Sequence, residues 1–174
     1  MKKAAILILL LVLGFSNSFA SNDFDLNLLR KEYFKAVDDE NLTEQLLTQL
    51  SLIEAKTAIL LGFEGSLLAL KAKHSWNPVV KMNSLKKGKV QLDEAIFLED
   101  DNLELRFLRF SLEYNLPSVL GMSSHLEEDK NKILLLVSGT VKSIDSSVLR
   151  TVASFLIDAN LVSEAQTRML RLFI

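Results

Sequence analysis

No cysteine occurs among the 174 residues. That absence removes disulfides, thiolate zinc sites, iron–sulfur clusters, thiol redox chemistry and cysteine nucleophiles together. Proline is nearly as scarce: Pro78 and Pro117 are the only two, and both stand where elements should end. The six glycines are too dispersed for a phosphate-cradling loop, and no Gly-x-Ser-x-Gly elbow is present. Strand-type alternation of Val, Ile and Thr is almost missing. His74 and His125 are the only histidines. His125 and Asp129, four apart, offer two metal ligands at most, and the Glu-x-x-His signature of di-iron bundles does not occur. No cofactor or metal is expected. Composition alone is compatible with a Ser–His–acid arrangement, but no motif supports one.

Much of what is present is leucine and charge. Lys2 and Lys3 precede an unbroken apolar run from Ala4 to Leu13, and Ser18-Phe19-Ala20 places small residues at the −3 and −1 positions of a cleavage site. This is the pattern of a secretory signal peptide. A membrane-spanning helix needs about 20 apolar residues, so the shorter run argues for cleavage after Ala20. No cysteine follows it, which argues against a lipid anchor. Residues 1–20 therefore read as a signal peptide and residues 21–174 as a single all-helical domain. The expected protein is exported, periplasmic or secreted, with no membrane-spanning segment after cleavage. The paired lysines suit a bacterial signal. Cleavage leaves 154 residues, enough for a real core, and takes the formal charge from −2 to −4. That balance does not point to nucleic acid.

Helix starts are legible as a cap residue followed three positions later by an acid or amide. Asn41–Glu44, Ser51–Glu54, Asp101–Glu104, Ser124–Glu127 and Ser163–Gln166 all fit. Asn77-Pro78 adds a start with proline in the first turn, and Asp145-Ser146 another. The spacing predicts helices near 26–37, 42–50, 52–73, 78–99, 102–115, 124–143, 146–158 and 163–173, the second and third being either one helix or two. Ile133–Val137 has the composition of a buried strand. The stripe of Ile133, Val137, Val141 and Ile144 favours a helix. Gly62 and Gly65 inside the third helix imply close approach of a neighbour.

Gln91–Asn115 organises the rest. On a helical wheel, Leu103, Phe107, Phe110 and Tyr114 form one stripe, and Leu105, Leu108 and Leu112 form a second on the opposite side. Glu104 and Ser111 fill one gap; Arg106, Arg109 and Glu113 fill the other. Two opposed apolar stripes predict packing on both sides, so this helix should be central.

Just before it, Gly88-x3-Leu92-x2-Ala95-x2-Leu98 leads into Asp100-Asp101-Asn102. This stretch resembles the second helix and exit turn of a tetratricopeptide repeat, with Leu92 in place of the usual aromatic and Asp100 in place of proline. The preceding helix has Ala72, Ser75, Trp76 and Val79 where that family has its Trp, Leu-Gly and Tyr. The resemblance covers half a repeat, about residues 88–102, and the family's roughly 34-residue period does not recur. It implies a helical-hairpin solenoid that binds proteins.

Candidate contacts follow from charge and aromaticity. Arg106 and Arg109 either grip a ligand's carboxylate or phosphate, or pair with Asp93, Glu94 or Asp129 on adjacent helices. The central position of their helix favours pairing. Six lysines between Gly65 and Leu92, Lys81 among them, face no acid in that stretch, whereas six acids lie between Asp93 and Glu104. The basic stretch could meet an anionic surface or acidic partner. The simpler reading has Lys71 and Lys73 at a helix C-terminus, Lys86, Lys87 and Lys89 solvated, and the two blocks neutralising each other. Trp76, in the turn His74–Pro78, would be an anchor if exposed, although packing over the helix junction is commoner. Tyr114 ends the central helix beside the arginines.

The leading expectation is an exported, non-enzymatic helical binding or scaffold protein of the bacterial envelope. Its architecture would be stacked hairpins of α-solenoid type, or an irregular bundle of seven or eight helices, acting through protein–protein contacts. One alternative is a small helical enzyme or ligand carrier with an anion-binding pocket near Arg106, Arg109 and Tyr114. Another is a structural homo-oligomer joined through the apolar tail Met169–Ile174, which must otherwise dock on its own core.

Overall fold

Short side chains of Asp, Asn and Ser begin most of the helices. In the computed structural model, which describes residues 25–139 and 144–174, Asp25, Asp39, Asn77, Asn102, Asp145 and Ser163 each accept a hydrogen bond from a first-turn amide. They open α1 (Leu26–Ala36), α2 (Glu40–Ser51), α4 (Pro78–Leu98), α5 (Leu103–Tyr114), α7 (Ser146–Asp158) and α8 (Glu164–Leu170). The remaining helices are α3 (Ala58–His74) and α6 (Leu126–Gly139). Short 3-10 turns cover Ser118–Leu120 and Arg171–Phe173. The described residues contain no strand, so the chain is all-α, and Ile133–Val137 lies inside α6. The predicted signal peptide, its cleavage site and Val141 lie outside the described residues. No helix among the described residues is long and apolar enough to cross a membrane.

Two expected starts are displaced. Ser51 does not cap a helix; its hydroxyl bonds back to the Thr48 carbonyl at 2.7 Å within α2, and α3 begins only after Thr57. Serine supplies either bond, and the preceding helix takes it. The start at Ser124 also fails. The Ser124 hydroxyl lies 3.3 Å from the His125 ring instead, and the His125 amide donates to the Glu113 carboxylate of α5 at 2.7 Å. Asp39 and Asn102, rather than Asn41 and Asp101, hold their helix ends.

The α3–α4 hairpin makes the most extensive helix–helix contact. Its axis of approach passes through Gly65 and Gly88. A Cβ on Gly65 would lie 2.7 Å from the Gly88 carbonyl oxygen, and one on Gly88 would press into the Gly65 carbonyl. Backbones therefore meet directly at this crossing. The small residue at the start of the repeat-like motif is needed for this contact.

Helix α5 divides the interior. Leu103, Phe107 and Phe110 join Ile133 and Val137 of α6, Val152 and Leu156 of α7, and Leu170 in one core. Leu108 and Leu112 pack with Leu29, Leu46, Phe63, Leu67 and Leu92 in a second, built on α1–α4. Leu105 meets Ala58, Ala95 and Ile96 between α3 and α4. The two opposed stripes thus face two different cores, and α5 is the wall they share. The tail docks through Leu170 and Phe173 on the first core, with Leu172 and Ile174 exposed.

Candidate functional site

The polar gaps between the two stripes of α5 face unlike surroundings. The gap holding Arg106, Arg109 and Glu113 meets α4 and the start of α6 in a buried ionic network. Asp129 of α6, wholly buried, accepts from Arg109 Nε at 2.7 Å and Nη2 at 2.8 Å, and from Arg106 Nη1 at 2.8 Å. Arg109 Nη1 donates to Asp93 at 2.9 Å. Arg106 also bonds Glu128 at 2.6 Å, the Asp100 carbonyl at 3.1 Å and the Asp100 carboxylate. Glu94 takes no part in the described ion pairs. Burial opposes the charge on both arginines, but their hydrogen bonds to the carboxylates, with the attraction of those charges, outweigh it and hold both above their ordinary value. Each guanidinium nitrogen already donates to a protein oxygen. The arginine pair clasps α6 to α5.

Beside it, buried Glu113 accepts from Lys89 Nζ and from the His125 amide, with its Oε1 2.9 Å from His125 Nδ1. Burial alone would raise this carboxyl; the Lys89 and His125 bonds overcome it and hold the group below the usual range. Lys89 is therefore an internal partner, contrary to its expected solvation. The lysine block is not neutralised mainly by its acidic neighbour in sequence. Lys71 pairs with Glu44 and Lys73 with Asp38, while Asp100 is held by Arg106 and Lys132, and Glu104 by Arg30.

These contacts bear on catalysis. Ser124 Oγ lies 3.3 Å from His125 Nδ1, the same nitrogen that faces Glu113. A hydrolytic triad needs nucleophile and acid on opposite ring nitrogens. His125 and Asp129 have separate partners, and the described residues hold no group of three His, Asp or Glu arranged for a metal.

The other polar gap, Glu104 and Ser111, opens onto a groove of about 1140 Å³. Its walls come from α1, α3, α4, α5 and α7. Exposed Phe34 and half-buried Leu70, Met82, Leu112, Leu116 and Phe155 supply apolar surface over a bed of buried Phe63, Leu85, Phe107 and Leu108. Tyr33 and Ser66 are the polar part of the floor. Burial pushes the Tyr33 phenol up to about 12, and the neighbouring Ser66 hydroxyl works against that rise. Ser66 Oγ has no hydrogen bond of good geometry among the described residues. At one end Arg30 bonds Glu104 at 2.6 Å and Asp145 at 3.3 Å, so one guanidinium bridges two acids and leaves that end one negative charge in excess. Elsewhere on the lining Lys31 and Lys81 are exposed and make no ion pair with the described residues.

Of the five candidate contact residues, only Lys81 lines this groove. Trp76 is 98% exposed in the α3–α4 turn, two residues before Pro78 at the groove edge; it does not cover the helix junction. Polar neighbours explain this: Ser75 and Asn77 bond each other and the first turn of α4, holding the turn away from the core. Tyr114 stacks with Phe110 and meets Phe155 edge-on, closing the aromatic core. Arg106 and Arg109 lie in the network on the other side of α5. The groove itself has no local sequence motif, because five separate helices make it. The chain matches no protein-family model, no curated protein and no solved structure.

Proposed function

We propose that this is an exported binding protein of the bacterial envelope whose α1/α3/α4/α5/α7 groove receives an apolar segment of another protein. The groove carries this reading. It is a large, largely apolar concavity in a chain with no membrane-length helix among its described residues. Large exposed apolar surfaces of this kind mark interaction sites. Fully exposed Trp76 near the groove edge adds an aromatic anchor of the type enriched at protein interfaces. The ionic network contributes rigidity rather than chemistry, since each of its guanidinium nitrogens already donates to a protein oxygen. The half-repeat resemblance of residues 88–102 to a protein-binding helical module supports the same reading.

The test is photocrosslinking in living cells from Met82 or Leu116, which line the groove, and from exposed Val90, which does not. The two groove positions should yield the same discrete adduct, and Val90 none. Equal adducts from all three positions, or none at all, would remove the groove as the contact surface. The intact mass of the exported chain should begin at Ser21; a retained Met1 would overturn the signal assignment.

A further inference from the structure

The groove has a periodicity of its own. From α1 it is lined by Asn27, Arg30, Phe34 and Val37. From α3 the lining residues are Phe63, Ser66, Leu70 and Lys73, and from α5 they are Glu104, Phe107, Ser111 and Asn115. Helix α7 adds Val148, Thr151 and Phe155. Each set follows the i, i+3/i+4, i+7 spacing by which one helix face packs against a neighbouring helix. Each of the first three runs for about three turns, roughly 15 Å at the helical rise. Helix α4 adds Pro78, Lys81 and Leu85 at the same spacing. Five helices thus turn a face toward a common slot that no described helix fills.

The charge on that slot is also defined. Glu104 and Asp145 share Arg30, which leaves one negative charge in excess at that end, and Lys73 is answered by Asp38. The charges left without ion pairs among the described lining residues are Lys31 and Lys81. Resting on the groove reading above, we infer that the occupant is an amphipathic helix of about three turns from a partner protein, apolar on its docking face and acidic on its flanks. Its apolar stripe meets Phe34, Leu70, Leu112 and Phe155, and its carboxylates face Lys31 and Lys81.

The experiment screens a displayed library of random 16-residue peptides against the exported protein. Two kinds of variant run beside it. Lys31→Glu/Lys81→Glu changes only exposed residues, so it should keep the fold; Ser111→Trp and Thr151→Trp each fill the slot. Enriched peptides should show apolar residues at helical period and net negative charge. Their affinity should fall about tenfold or more in the double charge variant and be lost in either tryptophan variant, with unchanged circular dichroism checking each fold. Enriched sequences without helical period, a preference for basic peptides, or no enrichment would overturn the inference. Tighter binding of laurate or of anionic phospholipid vesicles at the same slot would overturn it in favour of a lipid. A dimer that Ser111→Trp dissociates would assign the slot to a second copy of this chain. Helical acidic peptides that ignore both tryptophan variants would refute the groove reading as well. Loss of the period alone, beside a groove-specific photocrosslink, would refute only the helix.

Discussion

At the scale of single residues, Asp129 is the keystone of the ionic network. It is buried, accepts three guanidinium hydrogen bonds, and joins α6 to both arginines of α5. Removing one partner of a buried ion pair costs about 3–5 kcal/mol, because the other charge is left uncompensated. Asp129→Asn and Arg106→Ala should therefore each lower the melting temperature by roughly 10 °C for a domain of this size. An unchanged midpoint for Arg106→Ala would return that arginine to a ligand role. Glu113 predicts a pH effect. Its carboxyl is held below the ordinary value in the folded state, as are those of Asp100 and Glu128. The unfolded chain then binds protons first as pH falls, and the stability these groups contribute above about pH 4 disappears below it. Thermal melts should be level between about pH 7 and pH 5 and drop steeply under pH 4. Glu113→Gln should lower the neutral midpoint and flatten the acid slope. Part of this chemistry was visible in sequence. Two arginines on a helix apolar on both sides require acids, and Asp93 and Asp129 were among the expected partners. Glu113 with Lys89 and His125 was not visible, because its groups come from α5, α4 and the turn before α6, and only folding brings them together.

At the scale of elements, the closest approach belongs to α3 and α4. Each backbone occupies the space a Cβ of the other would need at Gly65 and Gly88. Alanine at an exposed helical position stabilises relative to glycine by up to about 1 kcal/mol; here the sign should reverse. Gly88→Ala should destabilise by about 1–3 kcal/mol through forced separation of the hairpin, measured by chemical denaturation. Gly62→Ala should be milder, because its new methyl would meet the Leu105 side chain, which can shift, rather than backbone. Most helices were legible from apolar period and caps. The errors at Ser51 and Ser124 share one cause: the cap hydroxyl found another partner, the Thr48 carbonyl and the His125 ring. The groove was illegible for a related reason. Its lining spans residues 27 to 155, so no window of sequence contains it.

At the scale of the molecule, the C-terminal tail decides between a docked end and an interface. Leu170 is buried in the core of α5, α6 and α7, and Phe173 packs beside it. Truncation after Arg168 should destabilise by about 2–5 kcal/mol, the usual consequence of removing a buried leucine. Sedimentation should show the same molecular mass before and after. Dissociation of an otherwise stable oligomer would instead make the tail a subunit contact. Exposed Leu172 and Ile174 are the residues such a contact would use.

Because α5 is the wall between two cores, neither side of the chain owns a complete one. A gene fragment ending at Asn102 would leave Leu92 and Phe63 without Leu108, and one beginning after Asn115 would leave Val152 and Leu156 without Phe107 and Phe110. Splitting the protein at either position should yield two pieces of which only the one retaining α5 shows any order. Circular permutants should tolerate new ends at the α3–α4 turn around Trp76 and fail when the break falls within Leu103–Tyr114.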